Sequence, residues 1–573
     1  MGLLLKNLKP YKMTAIAAVL LMLVEVMMDL LQPTLMAHIV DYGIANGDVP
    51  YILQTGVLMI GVALLGIIGG CGCIYFASIT SQGFGADTRE QLFSKIQSFS
   101  FDRLDQFKTS SLITRLTNDI TQVQNIVLMM LRMMTRFPLL FLGGIIMAIS
   151  LNAKMALVLL VTIPVLAVAL FFIMRKGFPL FGKVQKRLDQ VNSASRENLA
   201  GVRVVKAFVR STFEKTRFNT QNEQLMEVSI KAAQIMALLM PLMMLVMNLS
   251  IVAVLWFGGI QVNTGTMQVG EVIAFTNYLT QILFALMMAS MMLMMVSRAK
   301  VSADRITEVL QTDTSVKDIG TTGLQSTEGL LQYKNVSFHY PESTESSLKN
   351  ISFTAKPGET VAILGATGSG KTTMMNLVPR FYDVTEGSIL LNGTDIRELK
   401  LAELRSQIGI VLQEAVLFSG TITDNIRWGY QEATEEEVLA AAKAAQADEF
   451  IKKLSDGYDT VIGQRGVNLS GGQKQRLSLA RALVRKPAIL IMDDSTSAVD
   501  LATESAIQQA LKEQMEKTTT LLVAQRIHSV MGADQIIVLD NGQIVDIGNH
   551  LELIGRCDVY QEIYRSQMRE EAI

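Results

Sequence analysis

Long apolar runs fill the first 300 positions of the chain and then stop. Six of them, near residues 13 to 40, 52 to 80, 122 to 150, 155 to 178, 232 to 260 and 269 to 297, reach the roughly 20 residues that a helix needs to cross a hydrocarbon layer. The basic opening LLLKNLKPYK leads into the first run with no small-residue cleavage site, so it reads as a segment lying on the bilayer surface. Six is even, and both ends therefore share a side. The links YGIANGDVP, LNAK and QVNTGTMQVG are short and poor in base, whereas the longer links carry Arg89, Arg103, Arg115, Arg187, Arg196 and Arg210 among others. That asymmetry assigns the long links and both termini to the cytoplasmic side of the cell membrane. The links GFGADTREQLFSKIQSF and FGKVQKRLDQVNSASRENLAGVRVVKAF keep apolar residues three to four apart, which predicts helices continuing well beyond the bilayer.

Composition agrees with a division into a membrane part and a soluble part. A chain of 573 residues that is 50 % hydrophobic and only 18 % charged is too apolar for a single soluble globule. Its net charge of −1 provides no basic field for nucleic acid. Cys71, Cys73 and Cys557 have neither the number nor the setting of a disulfide framework or a metal site.

Two carboxylates interrupt the first apolar run. Glu25 and Asp29 stand four apart, hence on one helical face, with Gln32 and Pro33 just beyond. Intramembrane carboxylates mark candidate substrate contacts. The alternative is a structural ion pair with Arg132, Arg136 or Arg298, or a position near the headgroups. Methionine numbers 33 and clusters at Met287, Met288, Met291, Met292, Met294 and Met295. Such flexible side chains suit an adaptable apolar surface, or simply replace Leu against lipid.

After the polar stretch Gln311 to Gly329 the chemistry changes. Val361 to Thr373 reads VAILGATGSGKTT, a strand-like run, then GxxxxGKT, then a helix-compatible stretch. Backbone N–H groups of Gly365, Ala366, Thr367, Gly368, Ser369 and Gly370 can turn onto phosphates, with Lys371 reaching the β- and γ-phosphates and Thr372 and Thr373 opening the helix. The Thr372 hydroxyl is a candidate magnesium ligand, together with Asp493 at the end of the strand AILIMD. Tyr340 in FHYP offers a ring for adenine to stack on. Further on, Ser470, Gly471, Gly472 and Gln473 open an amphipathic helix in NLSGGQKQRLSLARALV, a second anion-binding terminus that one nucleotide in the same domain does not need.

Taken together, GATGSGKT, Gln413 in VLQE, LSGGQ, AILIMD, the SAVD turn at Ser497 to Asp500 and six preceding spans resemble an ABC exporter half-transporter of the bacterial multidrug or lipid type. The resemblance covers essentially the whole chain. It implies an all-α transmembrane domain of six long helices over residues 1 to 310, a linker over 311 to 329, and an α/β phosphate-loop nucleotide-binding domain over 330 to 573. It also implies ATP and Mg2+ as ligands, Gln413 as a γ-phosphate sensor and magnesium contact, and a homologous partner chain whose ATP is completed by this chain's LSGGQ. Short helices near Phe101 to Phe107 and Arg210 to Phe213 would couple the two domains.

Two positions depart from that family's pattern. Where a glutamate usually polarises the attacking water the chain has Asp494, and where a histidine usually contacts the γ-phosphate it has Gln525, in AQR. The aspartate is one methylene, about 1.5 Å, short, and displacements of about 1 Å can cost on the order of a hundredfold in rate. Gln525 donates a hydrogen bond but carries no proton or charge to the phosphate. Both changes strike the ATP held by this chain's own loop, while LSGGQ is intact. Three expectations follow from this pattern. The chain is the weakly hydrolysing subunit of a heterodimer that moves drugs or lipids, a slow homodimeric exporter, or an ATP-gated channel or regulatory membrane subunit.

Overall fold

The computed structural model describes residues 2, 4–318, 320, 328–341, 343, 345–495 and 499–570, with the backbone only at 290, 291, 293, 294, 297, 501, 514 and 568–570. The side chains of Met291 and Met294, the residues Ser497 and Ala498 of the SAVD turn, and 321–327 of the expected linker lie outside the described residues. The chain forms two compact units: Met1–Ile96 with Ser110–Thr312, and Gln97–Thr109 with Asp313–Ile573.

The first unit is helical. Among the described residues, six helical stretches are long and apolar enough to cross a membrane: Leu4–Ile44, Val49–Gln97, Thr109–Leu151, Leu157–Ala200, Ser211–Asn263 and Val269–Ala289, the last continuing as helix to Gln311. The second has 49 residues, about 73 Å of helix and more than twice the hydrocarbon thickness. The amphipathic links read from the sequence are continuous with the spans and extend them. Ahead of the first span the 3-10 segment Leu4–Tyr11 is tied down by Asn7, whose amide donates to Thr88 Oγ1 at 3.2 Å and Gln91 Oε1 at 2.9 Å.

These helices are apolar all round, so apolarity cannot choose which face is buried; packing does. On the first helix the stripe Ala18, Met22, Val26 and Leu30 is buried, while Ile16, Leu20 and Met27 remain exposed, as expected of residues that face lipid. Close approach depends on missing side chains. A Cβ at Gly69 would lie 2.9 Å from the Leu21 carbonyl oxygen, and one at Gly70 would lie 3.1 Å from the Glu25 carboxyl group. Of the methionine run, Met287 and Met292 are buried and Met295 is exposed.

The second unit is α/β. Its main sheet runs in the order Gln543–Gly548, Gln535–Asp540, Thr360–Leu364, Thr519–Val523, Ile489–Asp493, Ile408–Val411. All neighbours are parallel except the edge hairpin Gln535–Asp540 with Gln543–Gly548. The central strands are buried on both faces, as a parallel sheet covered on both sides requires. A second sheet, antiparallel, contains Leu348–Ala355, Leu331–Phe338, Glu386–Leu391 and Thr394–Asp395. Register decides where chemistry gathers: Val523 lies opposite both Ile363 and Asp493, so three strands end at one level. Ligands of open α/β sheets collect at such carboxyl ends.

The short helix Phe101–Phe107, which joins two membrane helices in the chain, packs inside this second unit. Phe101 sits 4.4 Å from Phe381 between ring centroids, and the Tyr382 hydroxyl donates to Asp105 at 2.8 Å. The other expected coupling segment, Arg210 to Phe213, forms the start of the helix Ser211–Ala237 in the first unit and leaves Phe213 exposed.

Candidate functional site

The strand Thr360–Leu364 ends in Gly365, and the chain then turns through Gly368 (φ 84°) and Gly370 (φ 104°) into the helix Lys371–Leu377. Side chains cannot replace these two glycines without strain, and a Cβ on Gly370 would also meet the Ser347 carbonyl at 2.9 Å. The result is the wall of a cleft of about 940 Å³. Thr367, Gly368, Gly370, Lys371, Thr372 and Thr373 line it, while Gly365, Ala366 and Ser369 lie behind them. Lys371 is buried and donates to the carbonyls of Gly365 and Ala366, both at 2.8 Å. Burial pushes its ammonium pKa down, and the carboxylates of Asp493 and Asp494 oppose that shift. Ser369 Oγ is buried with no hydrogen-bond partner, beside Gly365 and off the lining of the cleft.

Asp493 and Asp494 line the same cleft. The Thr372 hydroxyl is 3.4 Å from Asp493 Oδ1. Burial pushes the Asp493 carboxyl up, with Thr372 and Lys371 opposing. Asp494 follows directly after the strand in a left-handed conformation, φ 46°, its N–H donating to the Val523 carbonyl at 2.9 Å. Two amides reach Asp494 Oδ2: Gln525 at 3.0 Å and Gln413 at 3.3 Å. Burial first, then the neighbouring Asp493, raises the Asp494 pKa. Thr372, Gln413 and Asp493 thus form a set of hard oxygen donors that fits magnesium. The ring of Tyr340 lines the same cleft, its hydroxyl 3.1 Å from Thr373 Oγ1 and its edges packed against Phe338 and Tyr382.

Sequence reasoning missed the far wall. Lys349, Asn541 and Gly542 also line the cleft, and the Gly542 N–H donates to the Ser369 carbonyl at 3.1 Å, so a hairpin turn buttresses the phosphate loop. The Asn-Gly pair was a readable turn signal, with φ of 46° and 75°. Its nearness to a loop 170 residues earlier rests on strand pairing alone, since Val538 lies opposite Leu364.

Residues 15–287 match the ABC transporter transmembrane region and residues 348–497 the ABC transporter domain. An ABC transporter ATP-binding protein of Bacillus subtilis, YfiB, is 48 % identical over 99 % of this chain and 98 % of its own length. The chain belongs to the ABC transporter family. An ATP-dependent lipid A-core flippase of Syntrophus aciditrophicus is 33 % identical over 90 % of the chain and 86 % of its own length. A bacterial Atm1-family ABC exporter, solved with ATP bound, superimposes with a TM-score of 0.81 at 26 % identity, covering 97 % of this chain and 98 % of that one. This ABC protein is an exporter half-transporter: a membrane unit of six helices followed by an α/β unit that binds ATP and acts as the ATPase motor of transport.

The remaining candidate residues of this ABC exporter divide between two places. Ser470 caps the helix Gly471–Leu483: its Oγ accepts from the Gln473 N–H at 3.3 Å while Gln473 Oε1 accepts from the Ser470 N–H at 2.9 Å. None of Ser470, Gly471, Gly472 and Gln473 lines the phosphate-loop cleft. In the membrane unit, Glu25 and Asp29 share a face, and one guanidinium answers both: Arg136 Nη1 bonds Glu25 Oε1, and Arg136 Nη2 bonds Asp29 Oδ2 at 2.8 Å. Of the three arginines the sequence offered as partners, Arg136 is the one that pairs with both.

Proposed function

We propose that this chain is the weakly hydrolysing half of a heterodimeric exporter of hydrophobic or amphipathic compounds, set in the cell membrane with both termini cytoplasmic. The observation that carries the proposal is the state of Asp494. Its short carboxylate is engaged by the amides of Gln413 and Gln525, so the group expected to orient water is tied to two neutral donors. In this reading the loop from Gly365 to Thr373 wraps the phosphates and Lys371 exchanges its loop carbonyls for phosphate oxygens, while Tyr340 stacks on the adenine. Thr372, Gln413 and Asp493 would hold magnesium, which supplies charge neutralisation at the β- and γ-phosphates. Asp494 then lies short of the attacking water, and Gln525 supplies a hydrogen bond without positive charge.

The capped helix at Ser470 finds its use in a partner, whose ATP its free N–H groups would meet. The position of Ser470 to Gln473 away from this chain's own cleft supports that reading. The similarity to the lipid A-core flippase of Syntrophus aciditrophicus supports an amphipathic cargo. The test is ATPase activity of the purified full-length chain, alone and with a co-purified homologous chain. Turnover is expected only in the mixture, and full activity of this chain alone would refute the heterodimer. One observation favours a second reading, a slow homodimer. A carboxylate whose pKa is raised is a better base, so Asp494 would still activate water, slowly. Under that reading, Asp494→Glu restores the missing reach and raises the turnover of the lone chain by about a hundredfold.

A further inference from the structure

A cavity of about 660 Å³ opens among four of the membrane helices. Its lining combines apolar side chains, Met22, Phe137, Leu140 and Phe284, with the charged Glu25, Asp29, Arg132 and Arg136. Glu25 and Asp29 both bond to Arg136, and two carboxylates on one guanidinium leave a negative charge unmatched. Arg132 lines the same cavity, and its Nε is buried with no hydrogen-bond partner. Gln281 Oε1, also on the cavity, is likewise buried and without a partner. The helix itself breaks at Arg132 (φ −103°, ψ −77°), between Ile120–Leu131 and Met133–Leu151.

Depth makes this arrangement costly. Glu25 comes 13 residues after Lys12, the start of its helix, which is about 20 Å along the axis and inside a hydrocarbon layer of about 30 Å. Ionised groups and unpaired donors at that depth are expensive unless something matches them. Taken together the four side chains are neutral, but the charge is divided between a positive pole at Arg132 and a net negative pole at Glu25, Asp29 and Arg136. A ligand with a single charge would satisfy one pole and leave the cavity charged. A ligand bearing both signs satisfies both.

We infer that this cavity binds the head of a zwitterionic amphiphile, its anionic group on Arg132 and its primary ammonium on Asp29 and Gln281, with the apolar chain along Phe137 and Phe284. Asp29 is the receiving carboxylate because its side chain is 39 % exposed against 14 % for Glu25. A primary ammonium has N–H groups to give Gln281 Oε1; a quaternary one has none. A phosphoethanolamine head meets both demands. This inference rests on the reading of the chain as an exporter of amphipathic compounds, but its test needs no turnover.

The test uses the full-length protein in dodecyl maltoside without ATP. It is titrated calorimetrically with lauroyl lysophosphatidylethanolamine, lauroyl lysophosphatidic acid, dodecylamine and glycerophosphoethanolamine. The ethanolamine lipid should bind roughly tenfold or more tighter than each of the other three, and Arg132→Gln should remove that advantage. Asp29→Asn should remove it too, and Arg132→Gln decides alone if Asp29→Asn does not fold. An unchanged helical circular dichroism signal and monodisperse elution certify each variant as folded. Equal binding of the phosphatidic acid or the amine, equal binding of the head without its chain, or undiminished lipid binding by Arg132→Gln would overturn the inference. In a separate vesicle assay, absence of ATP-driven movement of the ethanolamine lipid with its binding intact would instead count against the export reading.

Discussion

Backbone and charge at Asp494 make separate demands on a replacement. Its φ of 46° lies in the left-handed region, which Asp and Asn tolerate better than other side chains because a short polar group can bond locally. Its carboxyl is pushed up by burial and by Asp493, so ionising it in the folded protein is disfavoured. A raised folded pKa contributes stability that is full below the unfolded value and lost as pH rises through the folded value. Asp494→Asn removes the charge, keeps the left-handed preference, and should raise the apparent melting midpoint of the nucleotide-free full-length protein by about 2 °C near pH 8. The gain should fade as pH drops towards the ordinary carboxylate range, where the parent residue is protonated as well. Thermal shifts of both proteins across that range check this, and a gain independent of pH would refute the electrostatic account. Gln525→His combined with Asp494→Glu addresses the chemistry instead. The pair should increase hydrolysis at this chain's own loop by more than either change alone, since the two groups meet the same phosphate, and single-turnover assays would show it.

Element by element, what the sequence disclosed was whatever depends on local pattern. The spans were legible because apolar runs of this length have few alternatives, and the phosphate loop because Gly368 and Gly370 must take positive φ. Asp493 was legible as a carboxylate ending an apolar strand. The place of the Asn541-Gly542 turn against the phosphate loop and the choice of Arg136 among the three candidate arginines were not, since both depend on which elements pack together, and a local pattern carries no such information. The helix Phe101–Phe107 falls between these cases. The family resemblance implied a short coupling helix there, but only packing shows that Phe101 stacks on Phe381 and that Asp105 accepts from Tyr382. It is covalently continuous with two membrane helices, yet it folds with the ATP-binding unit. Phe101→Ala should therefore leave ATP binding within about twofold and lower substrate export by about tenfold. Nucleotide binding and vesicle transport measured on the same preparation separate the two effects, and a parallel loss of both would mean the residue only stabilises the fold.

At the scale of the whole molecule the two nucleotide elements of the chain serve different ATP molecules if the partner is a different protein, and equivalent ones if it is a second copy. That difference can be measured without knowing the cargo. Lys371 bonds the carbonyls of this chain's own loop, so on the proposed reading its loss should empty that site while sparing a competent site elsewhere. Ser470 caps a helix that does not line this cleft, so its loss should spare ATP retention here and damage hydrolysis at the partner's loop. In a heterodimer, Lys371→Ala should leave steady-state turnover within about twofold of the parent, whereas Ser470→Ala should lower it by about a hundredfold. In a homodimer every site contains one of each element, and the two substitutions should depress turnover alike. Ser470→Ala also weakens its own helix cap by about 1 kcal/mol, so Ser470→Thr, which keeps the capping hydroxyl, serves as the folding control. ATPase assays of the purified complexes, with nucleotide occupancy of each chain counted after filtration, distinguish the two outcomes. Equal losses from Lys371→Ala and Ser470→Ala would reject the division of labour inferred from Asp494 and Gln525.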